Sequence, residues 1–232
     1  SLKKENIDFL NEKFLDSNGV ALTSENDVII EKFKAITGIQ ERRYARAEYT
    51  SSDLAFFAAQ KAIEDAQINK EEIDYIIFAH NFGDVKRGAI QGDMLPSLAT
   101  RVKYKLKIEN PNCVAYDILF GCPGWIEGVI HAQAFIKAGI AKKCLVIGAE
   151  TLSRVIDKYD RDSMIYSDGA GACIVEETTE TDSGILSHAT QTFAKEEAYY
   201  LHYGSSFNKN EDKNVRYIKM FGRKIYEFAI TN

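Results

Sequence analysis

The run Cys113-Val114-Ala115-Tyr116-Asp117-Ile118-Leu119-Phe120-Gly121-Cys122-Pro123-Gly124-Trp125 constrains this chain more than any other segment. Eight residues of strand character end at Gly121, Cys122 follows, and Pro123 can only open a helix. Proline fixes φ near the helical value and lacks an N–H, so it suits the first helical position. The spacing therefore predicts Cys122 at the N-cap, where free backbone N–H groups and the positive end of the helix dipole converge. That environment favours the thiolate, the nucleophilic form of cysteine. The same spacing also fits a buried, inert cysteine, the commoner fate of the residue. A strand, a glycine step and a helix start are nonetheless a purposeful way to present one side chain, with Gly121, Pro123 and Gly124 shaping the elbow around it.

Strands and helices alternate on either side of the elbow. Ser24-Glu25-Asn26-Asp27 resembles a capping box and predicts a helix through Ile29, Ile30 and Phe33 that stops near Gly38. Ser51-Ser52-Asp53 opens a second helix, with Leu54, Phe57, Ala58 and Ala62 at helical spacing. Asp74–Ala79 and Lys143–Gly148 are short continuous apolar runs, the pattern of strands buried on both faces. Phe82–Met94 reads as a loop, and Leu95-Pro96-Ser97 starts a helix through Val102 and Leu106. The elbow helix carries Trp125, Val129, Ala132 and Ile136 on one face, with Trp125 expected as core packing behind Cys122. Ala172–Val175 and Gly184–Ser187 follow as two more strands. The expectation is one α/β domain over 1–232, with a five-stranded, mostly parallel sheet, an antiparallel edge and flanking helices. Residues 195–216, polar and tyrosine-bearing, read as an irregular excursion.

Composition narrows the function. A net charge of −5 and the lack of any block of like charge argue against a nucleic-acid partner. No apolar run approaches the ~18 residues of a membrane span, and the start does not resemble a signal peptide. The four cysteines form no C-x-x-C pair, which argues against a zinc site or a disulfide framework and for a reduced, cytoplasmic setting. No metal site is expected. Among the histidines, His131 lies four residues after Glu127 and reads as an i,i+4 surface partner. His80, at the end of a buried strand, is a candidate pocket-lining residue, whereas His188 and His202 have nothing nearby to orient them.

From about Thr37 to Glu177, and more weakly to Ala229, the chain resembles the N-terminal half of thiolase-like condensing enzymes. The closest group is 3-oxoacyl-[acyl-carrier-protein] synthase III. The matching pieces are Thr37-Gly38-Ile39-Gln40-Glu41-Arg42, Asp117–Gly124, Val146-Ile147-Gly148-Ala149-Glu150, Asp160-Arg161, Asp168-Gly169-Ala170-Gly171-Ala172, and Met220-Phe221-Gly222 leading to Tyr226–Ala229. Their order and their ungapped spacing from Cys122 to Ala172 make the match specific.

The resemblance implies an acyltransferase with Cys122 as nucleophile. Cys122 takes an acyl group from a coenzyme A or acyl-carrier-protein thioester, and the acyl-enzyme condenses with malonyl-acyl-carrier-protein, as in initiation of fatty acid or related polyketide-type synthesis. Coenzyme A and the carrier protein's phosphopantetheine enter as substrates, and no cofactor is covalently bound. The resemblance further implies Arg161 as a coenzyme A contact, Leu95 as the apolar side chain sent into a neighbour's acyl pocket, and a homodimer joined edge to edge through Cys113–Leu119. Asp168, Gly169 and Gly171 become structural residues beside the cysteine, the glycines permitting close backbone approach. Lys32 and Ile36 replace the tryptophan and arginine that grip coenzyme A in the family, which makes an acyl-carrier-protein donor more plausible. The family's catalytic histidine and asparagine belong to its C-terminal half, so the chain is expected to be a fragment, without the first strand and inactive in condensation by itself. Alternatives are resorcinol-, quinolone- or 3-hydroxy-3-methylglutaryl-CoA-forming synthases of the same superfamily, a cysteine hydrolase, and a non-catalytic partner subunit.

Overall fold

The computed structural model describes residues 1–89, 91–180 and 184–232. The strands and helices follow as β1 Leu2–Glu5, α1 Asn26–Thr37, β2 Glu41–Tyr44, α2 Ser51–Ala66, β3 Tyr75–Ala79, α3 Leu98–Leu106, β4 Val114–Ile118, α4 Gly124–Lys137, β5 Lys143–Thr151, β6 Asp168–Glu176, β7 Leu201–Gly204, β8 Tyr217–Met220 and α5 Gly222–Thr231. The chain divides into two compact units, one of residues 1–46, 152–168 and 192–232, the other of residues 47–151 and 169–191.

The second unit is built on the two apolar runs. β3 and β5 are the inner strands of a sheet ordered β4-β3-β5-β6. β3 pairs in parallel with both neighbours, Ala79 standing opposite Ile118 and opposite Gly148. Inner strands are covered on both faces, and Ile76, Ile77, Phe78, Leu145, Val146 and Ile147 are completely buried. Parallel neighbours need long crossovers, which α3 and α4 supply. β6 returns beside β5, and the Glu177 N–H donates to the Lys142 carbonyl (3.0 Å), so the antiparallel edge forms as expected.

Side chains alternate across a strand, so each face of the sheet has its own core. On one face Ile76, Phe78, Leu145 and Ile147 pack with Ala55 and Ala59 of α2 and Leu98 and Val102 of α3. On the other, Ile77, Cys144 and Val146 pack with Ala132 of α4. α2 opens on a capping box between Thr50 and Asp53, and the Ser97 side chain accepts the Thr100 N–H at the start of α3.

In the first unit, β1 pairs antiparallel with β2 and β7 with β8. Phe9, Phe14, Ile29, Ile30 and Met164 form its core. A buried ammonium, Lys219 Nζ, meets Asp157 at 2.6 Å and Asp160 at 3.0 Å and lies 3.4 Å from the Phe207 ring centroid. Asp157 also accepts from Ser206 Oγ (3.0 Å) and the Phe207 N–H (2.7 Å), so the charges are paired and bonded as burial requires. Among the described residues, no helix is long and apolar enough to cross a membrane.

Four expectations change. The main sheet has four strands among the described residues, because Gly184–Ser187 pairs with nothing: Leu186 is 91% exposed, and the Ile185 carbonyl accepts from Gln133 Nε2 (2.9 Å). A strand does form at Leu2–Glu5. α1 starts at Asn26 after Glu25, whose side chain makes no cap bond, while the Asn26 amide donates to the Leu10 (2.7 Å) and Glu12 (2.6 Å) carbonyls. The stretch 195–216 contains a 3-10 turn at Glu196–Tyr199 and β7, so it is not irregular throughout.

Candidate active site

Past β4 the chain continues through Leu119 and Phe120 to Gly121, whose φ of +71° is a conformation that side-chain-bearing residues rarely adopt. The Gly124 N–H closes a turn onto the Gly121 carbonyl (3.1 Å), and the Glu127 N–H makes the first helical bond to the Pro123 carbonyl (3.2 Å). Pro123 is therefore the N-cap of α4, and Cys122 stands one residue before it, not at the N-cap as predicted. The turn accounts for the shift, because it uses Gly124 as its last residue and starts the helix there. Cys122 is exposed, and no side chain caps α4. No N-cap side chain therefore takes the N–H groups of the first turn of α4.

Glycines set how closely α4 lies on the sheet. A Cβ at Gly124 would stand 3.0 Å from the Ala79 Cβ, and one at Gly128 would stand 2.8 Å from Val146 Cγ1. From the sheet side, a Cβ at Gly148 would come within 3.1 Å of the Trp125 Cβ. Trp125 is 41% exposed, so it is only partly packed against the sheet and is not the core residue expected. The other cysteines are sheltered: burial pushes the Cys113 thiol up to about 11 and the Cys144 thiol up to about 12, and raises Cys173 as well.

His80 does not line a pocket at Cys122. It shares the parity of Ile76 and Phe78, so it projects to the α2/α3 face, opposite to α4. Its Nδ1 accepts the Gly83 N–H (3.2 Å) and its Nε2 lies 2.9 Å from Asp117 Oδ2. Both nitrogens are used and the residue is buried. Asp117 in turn accepts the Leu98 and Ala99 N–H groups (2.8 Å each) and caps α3. On the α4 face the counterparts are Asn81 and Glu150. The Gly121 N–H donates to Asn81 Oδ1 (3.0 Å), and the Asn81 N–H donates to the Glu150 carboxylate.

Leu95 is 88% exposed in the loop before α3. Arg161 lies in the first unit, with an exposed guanidinium 3.7 Å from Asp162. It borders a cleft of about 570 Å³ that also includes Asp160, Asp162, Met220 and Phe221, which brings two of the sequence motifs together. Burial raises the Asp162 carboxyl there. Asp168 is a bonding hub, accepting the Ala45 N–H (2.7 Å), the Ser153 N–H (2.7 Å) and Ser153 Oγ (2.6 Å). Gly169 and Gly171 do not mediate a close approach, since a Cβ at either would meet nothing within 4 Å. His131 pairs with Glu127 (3.6 Å), as its spacing predicts.

The profile of the 3-oxoacyl-[acyl-carrier-protein (ACP)] synthase III family matches residues 116–193. The chain is 34% identical over 207 residues to a beta-ketoacyl-[acyl-carrier-protein] synthase III of Xanthomonas campestris, a match covering 88% of this chain and 60% of the relative. It is 35% identical over 228 residues to the enzyme of that name from Ehrlichia canis, covering 96% of this chain and 65% of the relative. The solved beta-ketoacyl-[acyl carrier protein] synthase III of Thermus thermophilus superposes with a TM-score of 0.76 at 30% identity, over 99% of this chain and 64% of that one. The chain thus spans a little under two thirds of the length of these relatives. By sequence and by fold, over the part it spans, the chain is similar to members of the 3-oxoacyl-[acyl-carrier-protein] synthase III family.

Proposed function

We propose that Cys122 is the acyl acceptor of an acyltransferase that condenses an acyl thioester with malonyl-acyl-carrier-protein. The observation that carries this reading is Cys122 itself, the exposed one of four cysteines, in a turn between a parallel strand and an uncapped helix. The thiolate sulfur attacks the thioester carbonyl carbon and forms a C–S bond. The tetrahedral oxyanion, with the Cys122 backbone N–H as one donor, collapses and expels the donor thiolate, which takes up a proton. In the second half-reaction malonyl decarboxylation gives a carbanion that attacks the acyl carbon, and the Cys122 thiolate leaves. The Arg161 guanidinium, exposed beside its cleft, is available to a phosphate of the donor. Lys32 and Ile36, standing where the family resemblance implies tryptophan and arginine, favour acyl-carrier-protein as donor. Among the described residues β4 is the edge of its sheet, which supports a homodimer across it, with Leu95 reaching the second copy. Four free cysteines support a cytoplasmic setting.

The test is acylation followed residue by residue. After incubation with a short acyl-CoA or acyl-carrier-protein thioester, peptide mapping should find the acyl group on Cys122 and none in C122A. Limiting iodoacetamide at neutral pH should likewise alkylate Cys122 ahead of Cys113, Cys144 and Cys173, whose thiols burial holds protonated. Acyl transfer to another cysteine, or none while Cys122 still alkylates, would falsify the assignment.

A further inference from the structure

We propose that Asn81 is the positioning residue of the Cys122 elbow and that Glu150 holds Asn81 in place; the proposal rests on Cys122 being the acyl acceptor. Ala79 stands opposite Ile118 on one side and Gly148 on the other. Two residues beyond the end of β3, the Asn81 N–H reaches the Glu150 carboxylate and its side chain the Gly121 N–H. Alternation gives Asn81 and Glu150 the face of Ile77 and Val146, which is the face α4 covers. They therefore lie at the carboxyl ends of parallel strands, where open α/β sheets bind ligands.

The bonds follow from this placement. The β3 to β4 ladder continues with the His80 N–H donating to the Ile118 carbonyl (3.2 Å). Beyond it the approach to Cys122 is fastened by a side chain, Asn81 Oδ1, which accepts the N–H of Gly121, the residue before the cysteine. A backbone N–H can face only the oxygen of an amide, so the orientation of the Asn81 side chain is fixed. Glu150 takes the Asn81 N–H through Oε1, while its Oε2 is buried with no hydrogen-bond partner. Burying a half-satisfied carboxyl is costly. Burial also raises the Glu150 carboxyl above its usual range. Holding the start of the Asn81 loop against the sheet is the service that offsets this cost.

The test is the acylation rate of Cys122 by acetyl-CoA in the full chain, as wild type, N81A, N81D and E150A. Misplacing a reacting group by an ångström can cost on the order of 100-fold in rate. N81A is expected to lower the limiting acylation rate roughly 10- to 100-fold while changing the half-saturating concentration by no more than about twofold. N81D keeps an oxygen for the Gly121 N–H and should recover most of the rate, a rescue that a general loss of folding would not give. E150A should slow acylation in the same direction as N81A. Wild-type rates in N81A, or N81D as slow as N81A, would overturn the positioning role and leave the reading of Cys122 intact. If wild type is acylated by neither acetyl-CoA nor an acetyl-acyl-carrier-protein thioester, that reading falls. The variants are then compared by iodoacetamide alkylation of Cys122, where equal rates in wild type and N81A overturn the positioning role too.

Discussion

The two faces of the central sheet hold their helices by different means. On the α2/α3 face, carboxylates reach helix N-termini: Asp117 takes the Leu98 and Ala99 N–H groups, and Asp84 takes the Ser52 N–H (2.8 Å) and Ser52 Oγ (2.7 Å). Arg101 Nη1 closes that network onto Asp84 at 2.8 Å. On the α4 face no side chain caps the helix, and contact depends on the missing side chains of Gly124, Gly128 and Gly148. Directional bonds fix a helix by satisfying its free donors, whereas steric fit fixes it and leaves those donors unspent. The helix that begins beside Cys122 is the one left with its donors available.

The polar side of this contrast breaks most severely. Asp117→Ala removes the cap of α3 and the partner of a buried His80 nitrogen in one step. A lost cap costs about 0.5–2 kcal/mol and an unpartnered buried donor about 1–3 kcal/mol, so a loss of roughly 2–4 kcal/mol is expected. A denaturant midpoint that falls with an unchanged m-value would confirm a pure stability loss. A loss under ~0.5 kcal/mol, the size of an ordinary surface change, would mean the face is held by its apolar core alone.

The steric side breaks by filling the gap. Glycine to alanine inside a helix ordinarily gains about 0.5–1 kcal/mol, so the sign at Gly128 decides whether close approach matters. Val146, completely buried, lies 2.8 Å from the new Cβ, and overpacking of this kind costs about 1–3 kcal/mol. G128A should therefore destabilise, and V146A should relieve part of the cost in the double variant, a coupling that a two-mutant cycle measures. G148A faces Trp125, which is 41% exposed and can shift, so its loss should be smaller. A stabilised G128A would show that α4 does not sit this closely.

How far these features are legible in the sequence depends on the range of the interactions behind them. The buried strands, the capped helices α2 and α3 and the elbow at Cys122 follow from local pattern, because burial on both faces and turn chemistry are local demands. Parity alone also decides against His80, which is in step with Ile76 and Phe78. Asn81 and Glu150 are different: their meeting depends on β3 lying between β4 and β5, which no local pattern states. β1 escapes notice because its pairing is polar, Lys3 meeting Glu41 at 2.9 Å, with no apolar alternation to mark a strand. The one-residue shift at α4 follows from whether Gly121 and Gly124 close a turn, a choice that proline permits either way.

The smallest expected effect separates the charge of Glu150 from its hydrogen bond. Burial raises this carboxyl, so the folded chain holds the proton more tightly than the unfolded chain does. The sign follows by linkage: the contribution is full below the unfolded value of about 4.3 and is lost as pH rises through the raised folded value. At neutral pH the ionised Glu150 is therefore a net cost. Glu150→Gln keeps an oxygen for the Asn81 N–H and removes the titration. The difference in Tm between E150Q and wild type should be more positive near pH ~7 than near pH ~4, with the remaining titrating groups cancelling between the two proteins. If the difference instead falls as pH rises, the bond from the Asn81 N–H outweighs burial and stabilises Glu150 as an anion. The α4 face would then be held by a charge-assisted bond of the kind seen at Asp117, and the contrast between the two faces would narrow to their glycines.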